Sequence, residues 1–465
     1  MRTNTDEPAT RPNDLLSSAA PEAGGFGIAE PPAAVSDRHN GGVLPRNQSD
    51  LASADRLVSL GDAHVAAGRQ DDAAGCYDAA LLLNPQNANG LANLGRVLHQ
   101  QRKLEEAAAC FHRALELEPD NPWFHSYLGA LLLLKGEFEQ GWREFEWVWQ
   151  TKEVQADTPN PGKPRWDGSP LEGRLCLLQA PFGFGDNLQW SRFASHMAAR
   201  GARVILECQP ELVRLMRTLS GVAQVVAAGE PLPAFDVYAP LISLPHLLGL
   251  PSPRPADVPY LRADKADAER WAQALPPSSD LRVGLVWAAD PTHPGAWRSV
   301  PLATLAPLAN VGGVTFFSLQ KGAGVEQLGT APPGMRVVDL GQQFTDFADA
   351  AGLLMQMDVV ITVDTAMAHL AGALGRPVWI LLASLPDARW LLDRNDSPWY
   401  PSARLFRQKR AGDWAPVIAR VASELAKLTA LRQRRPTSGA PADADRAGAP
   451  DPNSGRRRRH TLPGS

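Results

Sequence analysis

The chain has 465 residues, 46 Lys and Arg against 50 Asp and Glu, a formal charge of −4 and 44% apolar residues. At about 100–200 residues per domain this length makes two to four folded units. The near-neutral balance excludes a protein bound to nucleic acid over most of its surface, and the apolar content excludes disorder throughout. Glycine (39) and proline (41) are both abundant, which means many tight turns or long unstructured tails. Cys76, Cys110, Cys176 and Cys208 show neither a C-x-x-C spacing nor clustering with His. No metal site and no disulfide framework are expected from them, and a reducing compartment fits. No apolar signal segment stands at the N-terminus. The most apolar stretch, residues 359–383, is interrupted by Asp364, His369 and Arg376, whereas a membrane span needs about 20 nearly uninterrupted apolar residues. The expectation is a cytoplasmic protein without a membrane span.

Residues 1–50 are rich in Ala, Pro, Gly and Ser without any periodicity, and residues 434–465 read the same way. Both are predicted to be disordered tails, since neither can bury enough apolar surface to offset chain entropy. The run Arg456 to Arg459 allows peripheral contact with acidic lipid or phosphate; a solvated tail is the simpler reading.

The first strong signal lies over residues 51–152. Leu60-Gly61, Leu94-Gly95 and Leu128-Gly129 recur every 34 residues, and the same step links Ala73 to Ala107, Tyr77 to Phe111 to Phe145, and Pro85 to Pro119. This segment resembles about three tetratricopeptide (TPR) repeats, each two amphipathic helices with small residues at the crossing and Pro after the second helix. Such a solenoid is expected to present a protein or glycan acceptor, or a partner protein, on its groove. Trp142, Trp147 and Trp149 stand where the third repeat ends, and they are expected to plug its open end against the next domain.

From about Gly173 short apolar runs alternate with helical stretches, which argues for parallel α/β units. Strands are predicted at 174–179, 202–207, 224–226 and 236–238, within a first lobe at 153–263. A polar connector at 264–280 leads to a second lobe at 281–433, with strands at 281–287, 314–319, 335–339, 358–363 and 377–382. Ser397-Pro398-Trp399-Tyr400-Pro401 and Phe406-Arg407-Gln408 are read as packing for a last helix, residues 414–432, that runs back across the lobes; stacking of Trp399 or Tyr400 on a base or sugar is the other use. The expected architecture is α plus α/β: a helical solenoid followed by two Rossmann-like lobes facing a cleft. Ligands of such sheets bind beyond the carboxyl ends of the strands.

Two strand ends carry candidate chemistry. The first strand leads into Pro181-Phe182-Gly183-Phe184-Gly185-Asp186-Asn187-Leu188. Leu188 occupies the third glycine position of a dinucleotide fingerprint, and the Gly-Lys-Ser/Thr of a phosphate loop is missing. Asp186 is therefore either a helix N-cap or a general base in the cleft, with Gly183, Gly185 and Asn187 forming an acceptor-side loop. The second strand end is Asp364-Thr365-Ala366-Met367-Ala368-His369. A helix starting there aims the N–H groups of Thr365, Ala366 and Met367 at the cleft, where they can hold a diphosphate, and His369 lies one turn on, facing the same ligand. Gln320 and Lys321, after another strand, are placed to reach a base or phosphate.

On these residues the chain resembles the GT-B glycosyltransferases, in particular glycosyltransferase family 9, the heptosyltransferases. Gly185-Asp186 is similar to that family's Gly-Asp at the first strand-to-helix turn, and Asp364-Thr365 through His369 to its Asp-Ser/Thr-Gly-x-x-His. The resemblance implies that Asp186 deprotonates the acceptor, that the Asp364-Thr365 helix start holds the donor diphosphate, and that Arg298 stands where a family Lys offsets phosphate charge. Ala366 replaces the family's Gly and narrows backbone access to a phosphate, and the first lobe is short for an acceptor domain. The expected activity is an inverting, metal-independent sugar transfer from a nucleotide-diphosphate sugar, which is a substrate; no cofactor is implied. The rival is an interaction scaffold on a glycosyltransferase fold that no longer turns over. A dehydrogenase ranks third, for want of the glycine fingerprint.

Overall fold

The computed structural model describes residues 48–157, 162–254, 257–291 and 296–434. The predicted tails lie outside the described residues, except that 48–50 already belong to the first helix and Arg434 ends the last.

The solenoid contains three helix pairs: α1 (Gln48–Ala66) with α2 (Gln70–Leu83), α3 (Ala88–Gln100) with α4 (Leu104–Leu117), and α5 (Pro122–Lys135) with α6 (Phe138–Phe145). The 34-residue step is a step of contacts. A β-carbon on Gly61 would lie 2.4 Å from the Tyr77 ring, and one on Gly95 would lie 2.7 Å from the Phe111 ring. In the third pair the approach is closer still, with the Gly129 position 2.5 Å from the Phe145 backbone nitrogen. Each glycine is thus the slot for its own repeat's aromatic. The same step sets the caps: Asn87 accepts from the Gly90 N–H, and Asn121 from those of Trp123 and Phe124, which meets N–H groups that have no intrahelical partner.

A short turn, Glu146–Gln150, and α7 (Lys152–Asp157) lead into the first lobe. Its sheet is all parallel in the order β3-β2-β1-β4, from β1 (Leu175–Gln179), β2 (Arg203–Cys208), β3 (Val222–Ala227) and β4 (Val237–Pro240). Its crossovers include α8 (Phe184–Trp190), α9 (Ala194–Ala199), α10 (Val213–Met216) and, after β4, α11 (Leu244–Leu247). One face, carrying Cys176, Leu178, Val204 and Leu206, joins the main core. The other holds a small cluster of Leu177, Ile205, Val226 and Phe235.

The connector helix α12 (Lys265–Ala274) is anchored to the second lobe: Trp271 Nε1 donates to Asp349 Oδ1 at 2.7 Å, and Arg270 pairs with the same carboxylate. The second sheet, also parallel, runs β10-β9-β8-β5-β6-β7, from β5 (Leu281–Val286), β6 (Val314–Ser318), β7 (Val337–Asp339), β8 (Val359–Val363), β9 (Val378–Leu382) and β10 (Ala403–Arg407). Helices α13 (Phe347–Leu354) and α14 (Ala366–Ala373) complete its crossovers. This is the doubly wound order, and its direction reverses between β5 and β8. The two-residue period of the strands divides two cores. Val360, Val378 and Ile380 face α14 and the first lobe, whereas Val359, Ile361, Val363 and Trp379 face the last helix, α15 (Ala415–Arg434).

Two expectations fail here. The last helix does not return across the lobes: its Val417, Ile418, Val421 and Leu425 are buried wholly within the second-lobe core, because its apolar stripe matches the open sheet face. The segment around Phe406 is a strand, β10, paired in register with β9.

The tryptophans at the end of the solenoid do dock it. Trp142 donates to the Pro251 carbonyl at 3.0 Å and meets Trp190 edge-on at 5.2 Å, while Trp190 meets Trp399 of the second lobe at the same spacing. Trp149 donates to Ser243 Oγ and packs on Phe182, and Trp147 stacks on His125 within the solenoid. No helix among the described residues is long and apolar enough to cross a membrane.

Replacing Gly95 by Ala forces a methyl into the Phe111 ring, and overpacking of this kind costs about 1–3 kcal/mol. Gly75, inside α2 with open space at its β-carbon, is the control, since Gly→Ala there stabilises by about 0.4–1 kcal/mol. Thermal unfolding is expected to place G95A below and G75A at or above the wild type. Equal melting of the two variants would refute the slot.

Candidate functional site

The ends of β1 and β8 bring the two lobes together. Helix α8 follows β1 and helix α14 follows β8, and their first turns pack directly on each other. A β-carbon on Gly185 would lie 2.9 Å from His369 Cδ2, so the absent side chain is what lets the helices approach. Gly185 thus lies within α8 at the helix contact, not in an acceptor-side loop. The cap of α8 is Gly183, with extended backbone, and Asp186 lies inside the first helical turn, which corrects its reading as N-cap.

Asp186 is buried, and it pairs with a residue that the sequence alone did not single out. Arg389 donates from Nη2 to Asp186 Oδ1 at 2.6 Å, from Nε to Asp387 Oδ1 at 2.8 Å and from Nη1 to His369 Nε2 at 3.2 Å. It therefore ties the first lobe to the second through one guanidinium. Because Arg can only donate, Nε2 of His369 accepts, and the ring proton sits on Nδ1 and goes to the Tyr400 hydroxyl 2.9 Å away. Burial first, and then the charges of Arg389, Arg192 and Arg298, hold the His369 pKa well below its usual value, so the ring is neutral. Burial opposes the Arg389 charge, but the carboxylates of Asp387, Asp186 and Asp364 outweigh it and raise its pKa. Arg298 donates to Asp364 Oδ2 at 3.1 Å, beside the start of α14.

The diphosphate candidates divide. Thr365 caps α14 with extended backbone, its Oγ1 meeting Thr362 Oγ1 at 3.0 Å, and Ala366 and Met367 form the first turn as expected. Asp364, Arg298 and His369 lie at the same strand end, where the sheet order reverses. Gln320 does not face this place. Its Oε1 accepts from the N–H groups of Trp287 and Ala288, and its Nε2 donates to the carbonyls of Ala288 and Ala323. All its capacity goes into tying the end of β5 to the loop after β6. Lys321, exposed, donates to the Phe344 carbonyl at 2.6 Å and lies over that ring, while the base or phosphate reading of Gln320 is corrected. Asn187 is likewise a clamp and not an acceptor contact: its amide donates to Ala180 O, Phe182 O and Gln209 Oε1. Trp399 and Tyr400 are buried in the lobe contact rather than offered to a base.

Arg192 completes the arrangement. Fully buried, it donates to the carbonyls of Gln189 and Trp399 and to the Tyr260 hydroxyl, and its guanidinium lies over the rings of Tyr260, Trp399 and Tyr400. One signal for Arg389 was available: Pro386-Asp387-Ala388-Arg389 follows the end of β9, and the strand-end rule that marks Asp364 applies equally there.

Known proteins share both parts of the chain. Residues 58–122 and 100–140 match the tetratricopeptide repeat, and residues 246–411 match glycosyltransferase family 9 (heptosyltransferase); Asp186 lies before the latter segment. Protein FlbA of Caulobacter vibrioides is 28% identical over 332 residues, covering 65% of this chain and 54% of FlbA, so the chain spans about half the length of this curated relative. Among solved structures, a glycosyl transferase family 9 protein from Veillonella parvula is 10% identical with a TM-score of 0.43, covering 57% of this chain and 99% of that one. The ADP-heptose lps heptosyltransferase II of E. coli is 16% identical with a TM-score of 0.40, covering 56% and 99%.

A neutral buried histidine makes stability depend on pH. Unfolded, His369 titrates near pH 6.5, whereas in the fold its pKa lies far lower. Its contribution is complete above about pH 6.5 and is lost as pH falls below that value. His99, which burial lowers to about 4, acts in the same direction. Melting temperature should therefore fall between pH 7 and pH 5, and less steeply in His369→Gln; an unchanged slope would count against a neutral His369. The chain is thus similar to tetratricopeptide repeats over residues 58–140 and to glycosyltransferase family 9 over residues 246–411.

Proposed function

We propose that the chain transfers a sugar from a nucleotide-diphosphate donor to an acceptor hydroxyl, with inversion at the anomeric carbon and no need for a metal ion. The supporting observation is that Asp186 from one lobe and the Asp364–His369 strand end from the other meet at one place, each at the carboxyl end of its sheet. The donor diphosphate rests on the first turn of α14, where helix N–H groups and Arg298 carry its charge. The acceptor oxygen attacks the anomeric carbon from the face opposite the diphosphate and a new C–O bond forms. The bond from that carbon to the phosphate oxygen breaks, its electron pair leaves with the nucleoside diphosphate, and the hydroxyl proton passes to Asp186. The solenoid, docked on the first lobe, carries the acceptor or a protein that brings it.

A second reading has its own support. Ala366 at the helix start and the Asp186–Arg389 pair both favour a scaffold that has given up turnover. Ligand binding and turnover separate the two. Of ADP, UDP, GDP, TDP and CDP, one should raise the melting point, since stabilisation grows as RT ln(1 + [L]/Kd), about 2.7 kcal/mol at 100 times Kd. Asp186→Asn should then abolish turnover while retaining nucleotide binding. No thermal shift with any of the five favours the scaffold, and full turnover in D186N removes Asp186 from the base role.

A further inference from the structure

The charges of the lobe contact have a consequence for any anion that enters it. Arg298 and Arg389 pair with Asp186, Asp364 and Asp387, and His369 is neutral. These two cations are already engaged by three carboxylates. A diphosphate adds negative charge to a buried site whose cations are taken, and unpaired buried charge is strongly unfavourable. One guanidinium must therefore exchange a carboxylate for phosphate oxygens.

The arginines of the lobe contact differ in their freedom to do so. Arg192 is fixed by two carbonyls, a hydroxyl and three rings that together form the lobe contact. Arg298 pairs with Asp364, on the same strand end as the helix start. Arg389 reaches the first lobe's carboxylate and the α14 histidine at once. It is carried on the loop after β9, and that loop departs from regular backbone immediately beyond it: Leu391 and Asp393 both adopt left-handed φ, +53° and +51°. Non-glycine residues adopt that conformation only at a cost in strain.

We propose that Arg389 is a donor-operated keeper of Asp186. Without donor, its guanidinium holds Asp186 and Asp387; with donor, it turns to the diphosphate, and Asp186 is released to take the acceptor proton. The inference rests on the sugar-transfer reading and adds an order of events, with the base uncovered only after the diphosphate is seated.

The test uses the full chain and the nucleoside diphosphate that stabilises the wild type, titrated calorimetrically, with inorganic pyrophosphate alongside. Arg389→Gln is expected to weaken binding about 10- to 100-fold, the range for one charge-assisted hydrogen bond, with R389K between the two. Asp387→Asn removes a carboxylate that competes for the same guanidinium and is expected to tighten binding several-fold. A residue that merely held the lobes together would weaken binding on either change. Affinity in R389Q equal to wild type overturns the proposal and leaves sugar transfer standing. Should R389Q not fold, unchanged or weaker binding in D387N overturns it equally. Absence of binding by any of the five nucleoside diphosphates to the wild type overturns both this inference and the reading beneath it.

Discussion

The molecule turns on one buried guanidinium. Arg192 sits where the solenoid, the first lobe and the second lobe meet, bonded to carbonyls from both lobes and roofed by Tyr260, Trp399 and Tyr400. Removing a charge from water is costly unless its donors are satisfied. Here the satisfaction comes from opposite lobes, so the contact holds only when both are in place. The edge-on series Trp142, Trp190 and Trp399 runs beside it and joins the solenoid to the same point. A single core cluster accordingly contains Leu134, Trp142, Leu188, Trp190, Leu370 and Trp399.

That contact governs the chemistry next to it. Because α8 and α14 touch through Gly185 and His369, the candidate base and the candidate diphosphate cradle share one low-dielectric space, where the pairings are coupled through Arg389. Asp186 cannot be considered apart from Arg389, nor Arg389 apart from Asp387. The proton position on His369 follows from the same chain of partners, ending on Tyr400. At these pairs a catalytic reading and a scaffold reading differ in whether a ligand can rearrange them.

The sequence showed most plainly what is local. The 34-residue step was visible because each glycine and its aromatic lie 16 residues apart in one helix pair and touch there. The strands showed as apolar runs because parallel sheets are buried on both faces, and Asp364 with His369 because a strand end and a helix start are consecutive. Arg389 escaped because its partner Asp186 is 203 residues away. Gln320 was misplaced for a different reason: a strand-end position fixes where a side chain begins, not which way its amide turns. β10 escaped because Arg404 and Arg407 interrupt a five-residue strand that follows Pro398 and Pro401.

The docking of the solenoid has a further consequence. Trp142 and Trp149 hydrogen-bond directly to the first lobe, and Arg102 of the second repeat pairs with Asp393 of the second lobe at 3.1 Å. Tethered modules gain from a flexible linker that lets one search the space around the other, at an effective concentration set by linker length. The described contacts leave the repeats no such search. Under the proposed sugar transfer, cargo held by the repeats would reach the lobes at a fixed angle and distance, so recognition by the solenoid would act as a ruler, and a ligand of the wrong length would be held as firmly as the right one yet delivered to the wrong place.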